Sequence, residues 1–257
     1  MENIYLEIRK RARQLVKKHP VPDFYRDFKQ ADGESRRFFD TDQVILKLRD
    51  FVASEIESDF GHGMTHAKKV SIDAGTLVLV ESPRIFLTEP AIRRKLLVVQ
   101  CAGLLHDLKR KERDHAIKGA DFAAEILKGY QLSGTEINEV CQAIRNHEAF
   151  KENRGGIAPP LLTPQELLIS DCLYDADKFR WGPDNFTHTV WDMVICAQIP
   201  LSKFIRHYKG GLDAVSRIKL TFRTATGKQY GPQFIDIGVS VGEKLFQIIQ
   251  KEFSGYL

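Results

Sequence analysis

The chain has 257 residues, of which 43% are hydrophobic and 28% are charged, and its formal net charge is +4 at pH 7. This length and composition exclude a disordered or fibrous chain and predict a globular protein with a substantial hydrophobic core. The mild positive charge favours anionic ligands weakly, and it does not favour a dedicated nucleic-acid-binding protein.

The sequence shows no pattern typical of secretion or membrane insertion. The basic N-terminal stretch lacks the apolar segment of a signal peptide, and no segment approaches the roughly 18 apolar residues of a membrane span. The cysteines Cys101, Cys141, Cys172 and Cys196 have apolar neighbours and no C-x-x-C spacing, so we expect them to be buried and reduced. These features favour a cytoplasmic protein without a membrane partner.

The first third of the chain predicts helices separated by a less regular stretch. Apolar residues at helical spacing predict a basic amphipathic helix over 3–19, ended by Pro20, and a second helix over about 41–58. Residues 23–40 have no clear period, and they predict a loop or a short helix packed by phenylalanine side chains.

A third helix carries a histidine on its apolar side. His66, Val70, Ala74 and Leu77 follow one another at i, i+4, i+8 and i+11. This spacing places them on one face of a helix, so the sequence predicts that His66 is buried.

The central segment of the chain is the apolar run from Leu96 to Leu105, in which only Gln100 is strongly polar. It predicts a helix at the centre of the core. His106 and Asp107 follow directly and lie about 100° apart around a helix axis, so both side chains can reach one ion. For an isolated His-Asp pair, a core histidine beside a capping or ion-paired aspartate is the commoner alternative.

The remaining elements are also predicted to be helices. One runs over about 113–128 with His115, one opens at the capping-box residue Ser133 and leads to His147, and one opens at Thr163-Pro164 and carries Asp177. Three more are predicted over about 184–199, 200–222 with an interruption at Gly210-Gly211, and 232–253. Because no stretch alternates as a strand does, the predicted fold is all-α, a single-domain helical bundle over residues 1–257.

The residues suited to metal binding are more numerous than a core normally contains. They are His66, His106, Asp107, His115, His147 and Asp177. Each would need its own hydrogen-bond partners in the absence of an ion. Together they predict a metal site built from five helices.

Their order and spacing resemble the HD-domain superfamily of metal-dependent phosphohydrolases. The motifs are H-x-x-x-V at His66, the apolar run into H-D at His106-Asp107, H-x-x-x-G-A at His115, A-I-x-x-H ending at His147, and A-D-K around Asp177. The resemblance covers about residues 60–185 and implies an HD-type helical core with helical extensions on both sides.

The resemblance implies one divalent-metal site made of four residues: His66, His106, Asp107 and Asp177. It implies a second site completed by His115 and His147, with Asp107 able to bridge the two ions. Histidine and carboxylate ligands suit Mn, Fe, Co, Ni or Zn without choosing among them. Two such ions activate water and polarise a phosphoryl oxygen, so the predicted function is hydrolysis of a small phosphate ester, with a nucleotide favoured.

Positive side chains follow the H-D pair directly. Lys109 and Arg110 are predicted to neutralise phosphate charge in the transition state, and Asp107 is the predicted central catalytic residue. Lys111 is predicted to bind the substrate. The alternative for each of the three cations is a solvated surface charge.

Three further residues are predicted substrate contacts: His62, Arg180 and Trp181. A surface histidine and a core tryptophan are the alternatives for His62 and Trp181. Asp171 and Asp175 share a helix face, and one of them is a candidate general base. The commoner alternative is that both carboxylates face outward into solvent.

Two other functions remain open at this stage. The superfamily that the sequence resembles also contains di-iron oxygenases with the same type of ligand set, so an oxygenase is the second hypothesis for the function. The third hypothesis is a non-catalytic domain that binds a nucleotide. The G-Y-P segment of members that cleave cyclic dinucleotides is missing after His147, so cyclic di-GMP is not the predicted substrate.

Overall fold

The computed structural model describes residues 2–55, 63–150 and 163–257. The described residues form α-helices joined by turns and short 3₁₀ or π segments, with no strand, which confirms the predicted all-α fold. The helices are α1 Glu2–Val16, α2 Asp23–Asp27, α3 Lys29–Thr41, α4 Gln43–Glu55, α5 Met64–Glu81, α6 Glu89–Leu105, α7 His115–Leu127, α8 Gly134–Arg145, α9 Pro164–Phe179, α10 Val190–Cys196, α11 Leu201–Arg217 and α12 Ala225–Glu252.

The two central helices, α5 and α6, pack directly against each other. A Cβ atom on Gly103 would lie 2.7 Å from the Cα atom of Ser71, so only glycine allows this approach of the two main chains. Every residue from Leu96 to Leu105 is buried. The polar member of this run, Gln100, donates to the carbonyl oxygen of Ser35 at 2.9 Å, so burying its amide nitrogen is compensated.

Two helix starts follow the predicted capping chemistry. The hydroxyl of Ser133 accepts from the main-chain N–H of Glu136, whose carboxylate accepts from the N–H of Ser133. The same reciprocal bonds join Thr163 and Glu166 at the start of α9. Each pair satisfies two N–H groups that a helix leaves open, so both predicted starts are confirmed.

The prediction differs from the structure near the N-terminus and at one cysteine. Residues 23–40 form two helices, α2 and α3, instead of a loop or one short helix, because the buried Phe24, Phe38 and Phe39 anchor both in the core. Cys196 is exposed at the end of α10 and not buried, whereas the other cysteines are buried as expected.

The helix α11 continues through Gly210 and Gly211, where an interruption was predicted. Glycine costs only about 1 kcal/mol in a helix interior. Burial of Tyr208 and Val215, together with the 3.0 Å bond from the hydroxyl of Tyr208 to the carbonyl oxygen of Gly242, offsets that cost.

The helix α12 begins at Ala225, two turns before the predicted start, and passes through Pro232. Other helices hold its first turn. Asp175 accepts from the N–H groups of Arg223 and Thr224 at 2.8 Å each, and Glu81 accepts from the N–H of Thr226 at 2.9 Å. These bonds stabilise the start of the helix against the cost of an internal proline.

Two hydrophobic clusters make up the core of the described residues. The larger lies among α2–α9, the end of α11 with the turn after it, and the beginning of α12. The smaller joins α1, α10, most of α11 and the rest of α12. Because α12 contributes to both clusters, it supports the single-domain organisation, which stays a prediction. Among the described helices, none is both long and apolar enough to cross a membrane.

Candidate metal centre

The predicted ligands come from five helical segments and meet at one buried place. The segments are the first turn of α5 with His66, the turn after α6 with His106 and Asp107, the first residue of α7 with His115, the segment just after α8 with His147, and the last turn of α9 with Asp177. All six side chains are buried. The structure therefore brings together residues separated by more than 100 positions in the sequence.

The first cluster contains His66, His106 and Asp107, whose ligand atoms lie within 4.8 Å of one another. The Nε2 atoms of His66 and His106 are 3.2 Å apart, and Oδ2 of Asp107 lies 3.4 Å from Nε2 of His106. Asp177 joins this cluster, with Oδ1 3.3 Å from Nε2 of His66. Atoms that bind one ion at about 2.1 Å are about 3.0 to 3.4 Å apart, so these distances fit a single site.

The second cluster contains Asp107, His115 and His147. The Nε2 atoms of His115 and His147 are 3.4 Å apart. Oδ1 of Asp107 lies 3.4 Å from Nε2 of His147 and 3.8 Å from Nε2 of His115. The two carboxylate oxygens of Asp107 thus face different clusters, as a ligand shared by two ions requires.

Hydrogen bonds to the main chain orient two of the histidine rings. Nδ1 of His106 lies 2.8 Å from the carbonyl oxygen of Gly103, and Nδ1 of His147 lies 2.6 Å from that of Ile144. Since a carbonyl only accepts, each Nδ1 carries the proton and each Nε2 presents its lone pair to the cluster. The donor set and these orientations fit a divalent transition metal.

The electrostatic environment keeps His115 and Asp107 in the protonation states that metal binding needs. At His106, burial alone would lower the pKa, but the neighbouring Asp107 and Asp177 raise it. Burial, with His147 and Arg110 nearby, lowers the pKa of His115 to about 4, so its imidazole is neutral at neutral pH. Burial alone would raise the pKa of Asp107, but His106, His147 and Arg110 hold it well below its usual range. Asp107 is therefore a carboxylate despite its burial.

The three cations after the H-D pair occupy different positions. Nη1 of Arg110 lies 3.3 Å from Nε2 of His115 and 3.5 Å from Oδ1 of Asp107, at the edge of the second cluster. Nζ of Lys109 lies over the ring of Phe122, 4.2 Å from its centroid. Lys111 is exposed. Of the three, Arg110 is the one whose described contacts reach the predicted ligands.

The predicted substrate contacts also differ from one another. Trp181 is half-buried and lines a cavity beside the clusters. Arg180 lines the same cavity, but its guanidinium donates to Asp184 at 2.6 Å and also to Asp73, so much of its bonding capacity is used within the protein. His62 lies outside the described residues.

Sequence reasoning missed Lys178 and Glu148. Nζ of Lys178, a residue only 2% exposed, donates to Oδ2 of Asp177 at 2.6 Å and to the carbonyl oxygen of His147 at 2.8 Å. Oε1 of Glu148 lies 3.6 Å from Nδ1 of His115. The signal for Lys178 was its position directly after the predicted ligand Asp177, within the A-D-K motif.

Asp175 was expected to face outward, and this expectation is wrong. It is fully buried, and its carboxylate holds the start of α12 through Arg223 and Thr224. Burial raises its pKa to about 6. Its described bonds belong to the α9–α12 contact and do not reach the metal ligands.

Four histidines and two aspartates thus form two adjacent buried clusters among the described helices. This arrangement is typical of helical proteins that bind metal ions. Residues 63–182 match the family model described as HD domain. This part of the chain is therefore similar to the HD-domain family, as the motifs indicated, and that family consists in general of metal-dependent phosphohydrolases. No curated protein and no solved structure shows significant similarity to the chain.

Proposed function

We propose that this protein is a phosphohydrolase with a binuclear metal centre that cleaves a small phosphate ester, with a nucleotide as the favoured substrate. The observation that carries the proposal is the orientation of Asp107. Its Oδ2 faces His106 and its Oδ1 faces His147, so one carboxylate joins two groups of metal-binding atoms. A single structural histidine-aspartate pair does not need this arrangement.

In this proposal, His66, His106, Asp107 and Asp177 hold the first ion, and Asp107, His115 and His147 hold the second. Bound ions supply Lewis-acid activation of the phosphoryl group and of the attacking water. The chain supplies the orientation of the ligands and positive charge beside the second cluster. Arg110 is the residue placed to neutralise phosphate charge, because it lies beside Asp107 and also lines the adjacent cavity.

The test is metal analysis of the purified chain combined with phosphate release from nucleotides, cyclic dinucleotides and other small esters. We expect two transition-metal ions per chain and metal-dependent release of inorganic phosphate. Asp107→Ala is expected to abolish release, whereas the control Asp50→Ala, at an exposed position on α4, is expected to retain it.

Two outcomes would overturn the proposal. Full phosphatase activity of Asp107→Ala would show that hydrolysis does not take place at this centre. Oxygen consumption by the iron-loaded chain, without cleavage of any ester, would replace the hydrolase with an oxygenase that uses the same ligands. A cytoplasmic location is part of the proposal and is tested by cell fractionation.

A further inference from the structure

A cavity of about 370 Å³ lies beside the candidate metal centre. Part of the lining is polar and charged, and its residues are His66, His147 and Asp177 from the clusters, together with Arg110, Lys178, Arg180 and Glu148. The volume lies within the range of about 300 to 1,000 Å³ that is typical of small-molecule sites. A phosphate group entering this cavity would meet Arg110 and Lys178, which both contact predicted metal ligands.

Another part of the lining is apolar. We name it the apolar lobe, and its residues are Ala149, Trp181, Val190, Met193, Ala214 and Val215. Asn185 and Thr189 add two hydrogen-bonding groups to the lining. A ligand in this lobe would therefore contact mostly hydrocarbon and one indole ring.

Most of the apolar lobe comes from outside the HD-domain match, which ends at residue 182. Val190 and Met193 belong to α10, and Ala214 and Val215 belong to α11. The metal ligands, in contrast, all lie within the matched residues. The match therefore contains all the metal ligands but only Ala149 and Trp181 of the apolar lobe.

We propose that the apolar lobe selects the organic part of the substrate, and that this part is an aromatic ring with few polar substituents, such as an aryl group or a nucleobase. The proposal rests on the proposed function, since the phosphate is assigned to the charged part of the lining. Apolar contact favours a ring because hydrocarbon surface is removed from water. A polyhydroxylated sugar would lose hydration in the lobe without enough hydrogen-bond partners, so we expect phosphates of sugars that carry no aromatic ring to be poor substrates.

Two adjacent glycines in α11 offer a matched pair of substitutions. Gly211 lines the cavity, and a Cβ atom on it would meet no other atom within 4 Å. Gly210 also has open space around a Cβ atom, and it is not one of the residues that line this cavity. A side chain at Gly211 therefore extends into the space before the apolar lobe, whereas one at Gly210 points about 100° away around the helix.

The experiment compares the metal-loaded wild type, Gly211→Leu and Gly210→Leu with benzyl phosphate and glycerol 1-phosphate, which both release an alkoxide leaving group. We expect the wild type to have the higher kcat/KM for benzyl phosphate. Gly211→Leu is expected to lower that value by about 10-fold, mainly through KM, and to change the value for glycerol 1-phosphate by less than about 2-fold. Gly210→Leu is expected to behave as the wild type with both esters.

Binding of phenylphosphonate and methylphosphonate, measured by calorimetry on the same metal-loaded chains, separates this inference from the proposed function. One outcome is that no ester is cleaved, that phenylphosphonate binds more tightly than methylphosphonate, and that only Gly211→Leu removes this difference. This outcome would reject the proposed hydrolase function and would support selection of an aromatic ligand by the apolar lobe. If glycerol 1-phosphate is preferred, or if the two glycine variants behave alike, the apolar lobe does not select the substrate.

Discussion

The ammonium group of Lys178 bonds to Oδ2 of Asp177, so Asp177 presents its other oxygen, Oδ1, to His66. The same ammonium donates to the carbonyl oxygen of His147. One buried cation therefore contacts residues of both candidate metal clusters, and it fixes the carboxylate of Asp177 while compensating part of its charge.

Replacing Lys178 with methionine tests this role. Removal of one partner of a buried ion pair costs about 3 to 5 kcal/mol, because the other charge is left uncompensated. We expect Lys178→Met to lower the melting temperature strongly in chelator, and divalent metal to restore part of the loss, since an ion then compensates Asp177. Lys128→Met, at an exposed residue after α7, is the control. An equal loss with and without metal would show that Lys178 contributes only packing.

The two clusters are expected to bind metal separately. His115→Ala removes a ligand of the second cluster only, so we expect this variant to retain one ion per chain, bound by His66 and its neighbours. Inductively coupled plasma mass spectrometry after dialysis gives the stoichiometry. His207→Ala, at an exposed position on α11, is expected to retain both ions. Two ions in His115→Ala would exclude His115 as a ligand.

The two cations that follow the H-D pair are expected to differ in their effect on catalysis. Arg110 contacts the second cluster and lines the cavity, whereas Lys109 lies over the ring of Phe122. We expect Arg110→Ala to lower kcat/KM by about 10- to 1,000-fold and Lys109→Ala to lower it less. Steady-state kinetics with the best ester from the substrate screen measures both, and a larger loss in Lys109→Ala would contradict this assignment.

Local sequence patterns predicted those features that depend on nearby residues. The starts of α8 and α9 follow from Ser133 and Thr163, because a capping box needs only residues three positions apart. The burial of His66 follows from the spacing of the apolar residues after it. These features need no knowledge of which helices become neighbours.

Features that depend on distant partners were not predictable in this way. Asp175 and Asp171 share a face, but the sequence does not reveal that the start of α12 packs on Asp175. The same contact explains why α12 begins before Pro232. The apolar lobe was missed because Val190 and Val215 lie on helices without a recognisable motif, and only the fold places them beside the clusters.

Asp184 is expected to make stability depend on pH in acid. Burial alone would raise the pKa of Asp184, but Arg180 and Lys69 lower it to about 2. A carboxylate with a lowered pKa stabilises the fold above its unfolded pKa of about 4, and this contribution of about 2 kcal/mol is lost as the pH falls towards 2. We therefore expect Asp184→Asn to reduce the free energy of unfolding at pH 6 and to have little effect near pH 2.

Urea titrations of the wild type and Asp184→Asn across this pH range measure the difference. Asp213→Asn, at an exposed position on α11, controls for the loss of one carboxylate. A difference between wild type and Asp184→Asn that stays constant from pH 6 to pH 2 would rule out ionisation of Asp184 as its cause.

The close packing of Gly103 on Ser71 has a consequence for the supply of metal. It fixes α5 relative to α6, and the rings of His106 and His147 are oriented by carbonyl groups of their own segments. None of these contacts requires an ion. We therefore expect ions to dissociate and be exchanged while the chain stays folded, unlike in a zinc finger. The concentrations of available metal ions in the cell would then determine which ion the protein binds, more than the ion that was present when the chain folded.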